Sequence, residues 1–341
     1  MKKKTAVVIC PGRGVYNKTE LGYLGRQHAN RRALFDAFDR QRAEMGQETL
    51  AALDGAASFS MATHTRGDNA SALIFAGSLA DFLAIDRTRI DIVAVTGNSM
   101  GWYSALACGG ALSPENGFRV ANTMGTLMQQ SLFGGQLIYP FVGEDWKPDP
   151  AHKAELLALA REKGVSLSID LGGMLVLAGD KAHLEAFEKA VPPVQERFPM
   201  RLANHAAFHT RLQAPVAEAG RARLPVSLFG QPALPLIDGR GTVWWPGASD
   251  VSTLRDYTLG HQVTETYDFT RAIQVAAREF APDLFIVTGP GSTLGGAVAQ
   301  SLILANWRNL GSKADFQASQ AASPLLAAMG MEEQRSSVVG S

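Results

Sequence analysis

The stretch Ile92-Val93-Ala94-Val95-Thr96-Gly97-Asn98-Ser99-Met100-Gly101-Trp102-Tyr103-Ser104-Ala105-Leu106 constrains this chain more than any other. A short, β-branched apolar run stops at Gly97, and a small-residue helical pattern begins after Gly101. Gly97 to Gly101 therefore reads as strand, sharp turn and helix carrying G-x-S-x-G, a nucleophile elbow. So tight a turn strains its central residue and brings neighbouring backbone close, which excludes a Cβ two positions before and after the serine. Ser99 Oγ is expected to project above a sheet. The N–H of Met100 and the positive end of the following helix face the same point.

The flanking segments fit a parallel sheet. Ala6 to Cys10 is a buried strand that ends in the loop Pro11-Gly12-Arg13-Gly14. Asn30 to Arg42 is helical and charged, and Ser71 to Leu83 is an apolar helix leading into the elbow strand. This alternation of strand and helix predicts a sheet covered on both faces. From Gly134 the pattern changes: strand Leu137 to Val142, helix Ala151 to Lys163, two strands turning at Gly172-Gly173, helix Lys181 to Val191, strand Met200 to Ala203. That βαββαβ order predicts an inserted ferredoxin-like unit. The larger unit resumes with a helix through Ala222, strands at Leu234 to Ile237 and Leu284 to Thr288, and a helix from Phe269 to Phe280. The fold class expected is α/β, an α/β-hydrolase-like parallel sheet over residues 1–134 and 204–312 with a ferredoxin-like insert over 135–203. Residues 313–341, poor in aromatics, read as a loosely held tail with a helix at Ser323 to Met329.

Composition narrows the chemistry. Thirty-two basic residues balance 32 acidic ones, without a basic stripe or an acidic block, so neither nucleic acid nor an anionic membrane is the expected partner. The apolar run after Met1-Lys2-Lys3-Lys4 is too short for a signal peptide. Two distant cysteines, Cys10 and Cys108, fit a reducing cytoplasm. Seven histidines are available as bases for Ser99. His205 and His209 are four apart, but Ala206 stands where a zinc protease needs glutamate, so no metal site is expected. His209, between a small apolar run and a helix start, is placed for a general base.

A second glycine-rich loop, Thr288-Gly289-Pro290-Gly291-Ser292-Thr293-Leu294-Gly295-Gly296, follows a strand and opens a helix. Its N–H groups suit a phosphate, but Pro290 removes a donor and the spacing misses the dinucleotide fingerprint. Close packing of helix on sheet is the role expected of it.

Taken in order, these motifs resemble the malonyl-CoA:acyl-carrier-protein transacylases and the acyltransferase domains of polyketide synthases. Cys10-Pro11-Gly12-Arg13-Gly14 is similar to the family's F-P-G-Q-G, and Gly97-Asn98-Ser99-Met100-Gly101-Trp102-Tyr103 to its G-H-S-L-G-E-Y. Ala207-Phe208-His209-Thr210-Arg211-Leu212 is similar to A-F-H-S-P-L, and Val287-Thr288-Gly289-Pro290-Gly291 to E-x-G-P-G. The resemblance implies ping-pong acyl transfer, in which Ser99 attacks a thioester with His209 as base and Met100 and Arg13 as oxyanion donors. It further implies a carbonyl near Gln262 as the orienting group, and coenzyme A and the phosphopantetheine of an acyl carrier protein as donor and acceptor. Both are substrates, with no tightly bound cofactor. Fatty-acid or polyketide biosynthesis is the setting implied.

The departures bear on substrate. Malonyl-using members place an arginine twenty-five residues past the serine, where this chain has Met124. Losing one partner of a buried charged pair costs about 2 to 5 kcal/mol, so a non-carboxylated acyl group is expected, with Met124 lining its pocket. Arg13, at the family's glutamine position, could supply a displaced cationic grip, which would count against that expectation. Asn98 and Trp102, in place of histidine and glutamate, suggest a reshaped entrance and make an editing hydrolase, in which water relieves the acyl-serine, an alternative on the same scaffold. A nucleotide-binding module using the two glycine loops, or a lapsed enzyme that still docks a carrier protein, are the readings from another class.

Overall fold

In the computed structural model, residues 3–340 are described, and apolar runs with β-branched residues supply most of two sheets. In chain order the strands are β1 (Lys4–Cys10), β2 (Ile90–Gly97), β3 (Gly135–Pro140), β4 (Ser166–Leu171), β5 (Met174–Gly179), β6 (Met200–Arg201), β7 (Leu236–Ile237), β8 (Val243–Trp244), β9 (Tyr267–Asp268), β10 (Leu284–Val287) and β11 (Leu326–Ala328). The larger sheet runs β11-β10-β1-β2-β7-β8 and is parallel except for the β7–β8 edge. Its central strands are buried on both faces, as continuous apolar strands require. Helix Gly67–Ala84, nearly all buried, packs on helix Pro114–Gln130. Gly125 makes that approach possible: a Cβ there would meet the Gly67 carbonyl at 2.6 Å.

The smaller sheet runs β6-β3-β5-β4-β9. Its first four strands are antiparallel and, with helices Pro150–Glu162 and Lys181–Ala190, follow the order strand, helix, strand, strand, helix, strand. The turn between β4 and β5 falls at Gly172-Gly173, and Gly172 has φ +63°. A fifth strand, β9, joins in parallel from the returning chain, Ile169 facing Tyr267. The segment 204–312 thus belongs to both sheets and ties them together at the base of the site.

The end of the chain corrects the sequence reading. Ser323 to Met329 is not a helix, and the segment is not loosely held. Leu326 to Ala328 form β11, the parallel edge beside β10, and Arg335 sends its guanidinium into the core. Buried Asp81 accepts from Arg335 Nη1 at 2.5 Å, from Tyr23 Oη at 2.8 Å, from Gly289 N at 2.5 Å, and lies 2.7 Å from His28 Nε2. Alanine and serine content hid a segment that holds by pairing backbone and one charge. Among the described residues no helix is long and apolar enough to cross a membrane.

Candidate active site

The elbow forms where the sequence puts it. β2 ends at Gly97, helix Gly101–Cys108 follows, and Ser99 between them has φ +55°, a conformation that non-glycine residues seldom adopt. The flanking glycines are sterically required: a Cβ on Gly97 would lie 2.3 Å from the carbonyl of Gly101, and one on Gly101 would lie 2.1 Å from the carbonyl of Cys10. That contact also seats the elbow against the end of β1. The loop after β1 is held there too, since Asn98 N donates to Cys10 O at 2.9 Å and a Cβ on Gly12 would meet Asn98 O at 2.6 Å.

His209 comes from the other side of the cleft, also at positive φ (+55°). Its Nε2 lies 2.7 Å from Ser99 Oγ, and its Nδ1 lies 2.6 Å from the backbone carbonyl of Gln262. A carbonyl only accepts, so Nδ1 carries the proton and Nε2 presents its lone pair to the serine hydroxyl. Burial holds the imidazole down at about 4 against an ordinary 6.5, with the Gln262 carbonyl pulling the other way. At neutral pH the ring is therefore uncharged and able to accept a proton. The smaller sheet steadies it: Ser168 Oγ donates to Phe208 O at 2.8 Å and itself accepts from Gln136 Nε2 at 2.6 Å. Gln262 is bound on three sides, its Nε2 donating to Ser99 O at 3.0 Å and its Oε1 accepting from Tyr103 Oη at 3.1 Å.

Arg13 stands beside this dyad. Its Nη2 donates to Thr65 O at 2.9 Å and Asn204 O at 2.8 Å, and the guanidinium lies 5.5 Å from the centre of the Phe208 ring. Nη2 faces the rim, while Nε and Nη1 are sealed from solvent without a hydrogen-bond partner among the described residues. Burial lowers the guanidinium to about 10, partly offset by the charge of Asp68, so it stays cationic at pH 7. The backbone N–H groups of Met100 and Arg13 are engaged in no hydrogen bond among the described residues, which leaves them free for an oxyanion.

The space in front of Ser99 is about 10 Å³, room for roughly one water. Met128, Phe208, Tyr103 and Val263 wall it, with Arg13 and the dyad. It sits between two larger spaces. A cleft of about 670 Å³ shares His209 with it, and a cavity of about 180 Å³ shares Arg13.

Three residues are placed differently from the sequence reading. Met124 does not line the wall; it is fully buried and packs on helix Ala214–Arg223, where a Cβ on Gly220 would meet its Sδ at 2.7 Å. Met128, one turn further along, faces the serine instead. Trp102 is no entrance residue: it lies in the core, donating Nε1 to Thr258 Oγ1 at 2.9 Å, edge-on to Tyr257. Asn98 is buried outside the wall, its Oδ1 without a partner among the described residues. The glycine loop at 288–296 is packed shut, with Gly289 N bound to Asp81 and a Cβ on Gly291 meeting Val15 O at 2.4 Å. An acidic partner on that N–H leaves no phosphate cradle there. Unforeseen were Tyr103, Phe208, Met128 and Val263, of which Tyr103, four residues after Ser99 on the helix that follows the elbow, and Phe208, next to His209, had a positional signal.

No family model matches the chain. The malonyl CoA-acyl carrier protein transacylase of Salmonella typhimurium is 25% identical over 207 residues, 59% of this chain and 63% of that protein. The chain thus matches less than two thirds of the length of such curated relatives. The fold matches an acyl-carrier-protein S-malonyltransferase from Burkholderia pseudomallei with TM-score 0.73 and 20% identity, covering 98% of each chain. It also matches the structure of a type II PKS acyl-carrier protein in complex with its malonyl-transacylase, with TM-score 0.68 and 19% identity, over 94% of this chain and 100% of that one.

Proposed function

We propose that this chain, whose relatives in sequence and fold support the malonyl-CoA:acyl-carrier-protein transacylase family, is a serine acyltransferase that moves an acyl group from coenzyme A to the phosphopantetheine thiol of an acyl carrier protein. The observation that carries this reading is the 2.7 Å contact between Ser99 Oγ and His209 Nε2, with the tautomer set by the Gln262 carbonyl. His209 takes the proton of Ser99 as Oγ bonds to the thioester carbon. The negative oxygen that results meets the N–H groups of Met100 and Arg13, and removing one such donor typically costs 10²–10³ in rate. The C–S bond then breaks, and the His209 proton leaves with the thiolate. The carrier's thiol reverses these steps, its proton passing to His209 as its sulfur attacks the acyl-serine. The buried imidazolium formed in between is stabilised by the Gln262 carbonyl, which does the work a carboxylate does in serine proteases.

We read residues 1–134 and 204–312 as an α/β-hydrolase-like unit and 135–203 as a ferredoxin-like one, to whose sheet β9 adds a strand, with 313–340 contributing an integral edge of the larger sheet. His209 and Ser99 meet where the two adjoin. The expectation of an uncharged acyl group rested on the missing arginine at position 124, with Met124 lining the pocket; Met124 lies behind the wall instead, which removes the lining and leaves that position without a cation. The narrow space before Ser99 favours a short acyl group. Incubating the protein with acyl-CoA and holo acyl carrier protein tests the assignment. Mass spectrometry of the carrier is expected to show the acyl mass accumulating faster than free acid. Free acid as the dominant product makes the chain a hydrolase, and neither product overturns the enzymatic reading.

A further inference from the structure

Buried guanidinium groups are ordinarily matched by carboxylates or carbonyls, because a sealed N–H without an acceptor forfeits the hydrogen bond it had in water. Arg13 departs from this at the one place where a substrate arrives. Two carbonyls occupy its Nη2, which leaves three N–H bonds on Nε and Nη1 with no acceptor among the described residues. The acidic group whose charge acts on it, Asp68, already holds Arg66 through two contacts at 3.1 Å. The Phe208 ring beneath and the carbonyls of Thr65 and Asn204 fix where the group stands, so the cation is held beside the dyad rather than free to swing into water. Arg13 and Ser99 line the same narrow space.

Resting on the acyl-serine reading above, we infer that Arg13 is the specificity-determining residue of this site, its unoccupied guanidinium N–H bonds receiving the carboxylate of a short carboxyacyl group carried on Ser99. Helix Pro114–Gln130 has no part in this. Its Met124 is turned into the packing against Gly220, and the residue it does present to the serine, Met128, is apolar. The loop after β1 thereby serves twice, through the backbone N–H of Arg13 at the thioester carbonyl and through its side chain at the far end of the acyl group. Arg13 also borders a separate cavity of about 180 Å³, lined in part by Tyr16, Met61, Ile74 and Met200.

The test compares charged and neutral acyl groups of equal length. Rates of acyl-Ser99 formation are measured by intact mass for malonyl-CoA against propionyl-CoA and for succinyl-CoA against butyryl-CoA, in the wild type, Arg13→Gln and Arg13→Lys. The wild type is expected to prefer the charged member of at least one pair. Arg13→Gln is expected to lower that preference by at least about 30-fold, with Arg13→Lys, which keeps the charge and loses the planar fork, between the two. Labelling of Ser99 by a fluorophosphonate reports that each variant retains a folded, reactive site. If Arg13→Gln does not label, the wild-type preference and Arg13→Lys decide. A wild type that loads the neutral members as fast or faster, or a preference unchanged by both substitutions, overturns the inference and leaves the acyltransferase standing. Absence of any acyl adduct on a protein that still labels instead overturns the acyltransferase reading itself.

Discussion

Ser99 and His209 both sit at positive φ, held there by what surrounds them, and the proposed catalytic pair depends on that local strain. Ser99→Ala is expected to abolish acyl-enzyme formation, and His209→Ala to slow it by about three to six orders of magnitude, measured as loading from acyl-CoA. The elbow has no room for a methyl group. Gly101→Ala places a carbon 2.1 Å from the Cys10 carbonyl, so a loss of at least about 3 kcal/mol in urea unfolding is expected, together with loss of fluorophosphonate labelling. The depressed His209 value has two consequences. Its activity as a base is lost only below about pH 4, so the acid limb of kcat/KM is expected near there and not at 6.5. The folded value lies below the unfolded one, so the neutral ring contributes stability that is full above pH 6.5 and lost as pH falls toward 4. Urea unfolding at pH 7 and pH 5 is expected to differ by about 2 kcal/mol from this group, a difference that His209→Gln removes.

Among the elements, the C-terminal segment does more than its composition suggests. β11 pairs along β10, and Arg335 with His28 and Tyr23 surrounds Asp81, which in turn holds Gly289 N at the end of β10. Arg335→Ala leaves a fully buried carboxylate short of its cation and is expected to cost about 3 kcal/mol in urea unfolding, with kcat per folded molecule little changed. Elements with a strong internal pattern were legible in the sequence. Helix Phe269–Phe280 is found at the residues predicted, and the Gly172-Gly173 turn between β4 and β5 also stands where it was read. β11 was not legible, because three buried residues in an Ala- and Ser-rich stretch carry no period, and their strand conformation comes from β10 alone. β9, two residues long, likewise exists only through its partner β4.

Across the whole molecule, the site is assembled from pieces 110 residues apart, brought together because β9 and Ser168 bind the returning chain to the smaller sheet while β1 and β2 hold the elbow in the larger. That Ser99 and His209 come together was legible because strain, turn geometry and residue chemistry mark them locally. The wall was not, since which face of helix Pro114–Gln130 meets the serine is decided by how it packs on Gly220 and Gly67, and a one-turn difference exchanges Met124 for Met128. The central claim, that Ser99 activated by His209 carries the acyl group, is tested most directly by brief incubation with acyl-CoA, acid quench and peptide mass mapping. The account predicts one acyl mass on the peptide containing Ser99, absent in Ser99→Ala and strongly reduced in His209→Ala. An acyl adduct on another residue, or one that persists in Ser99→Ala, would contradict it.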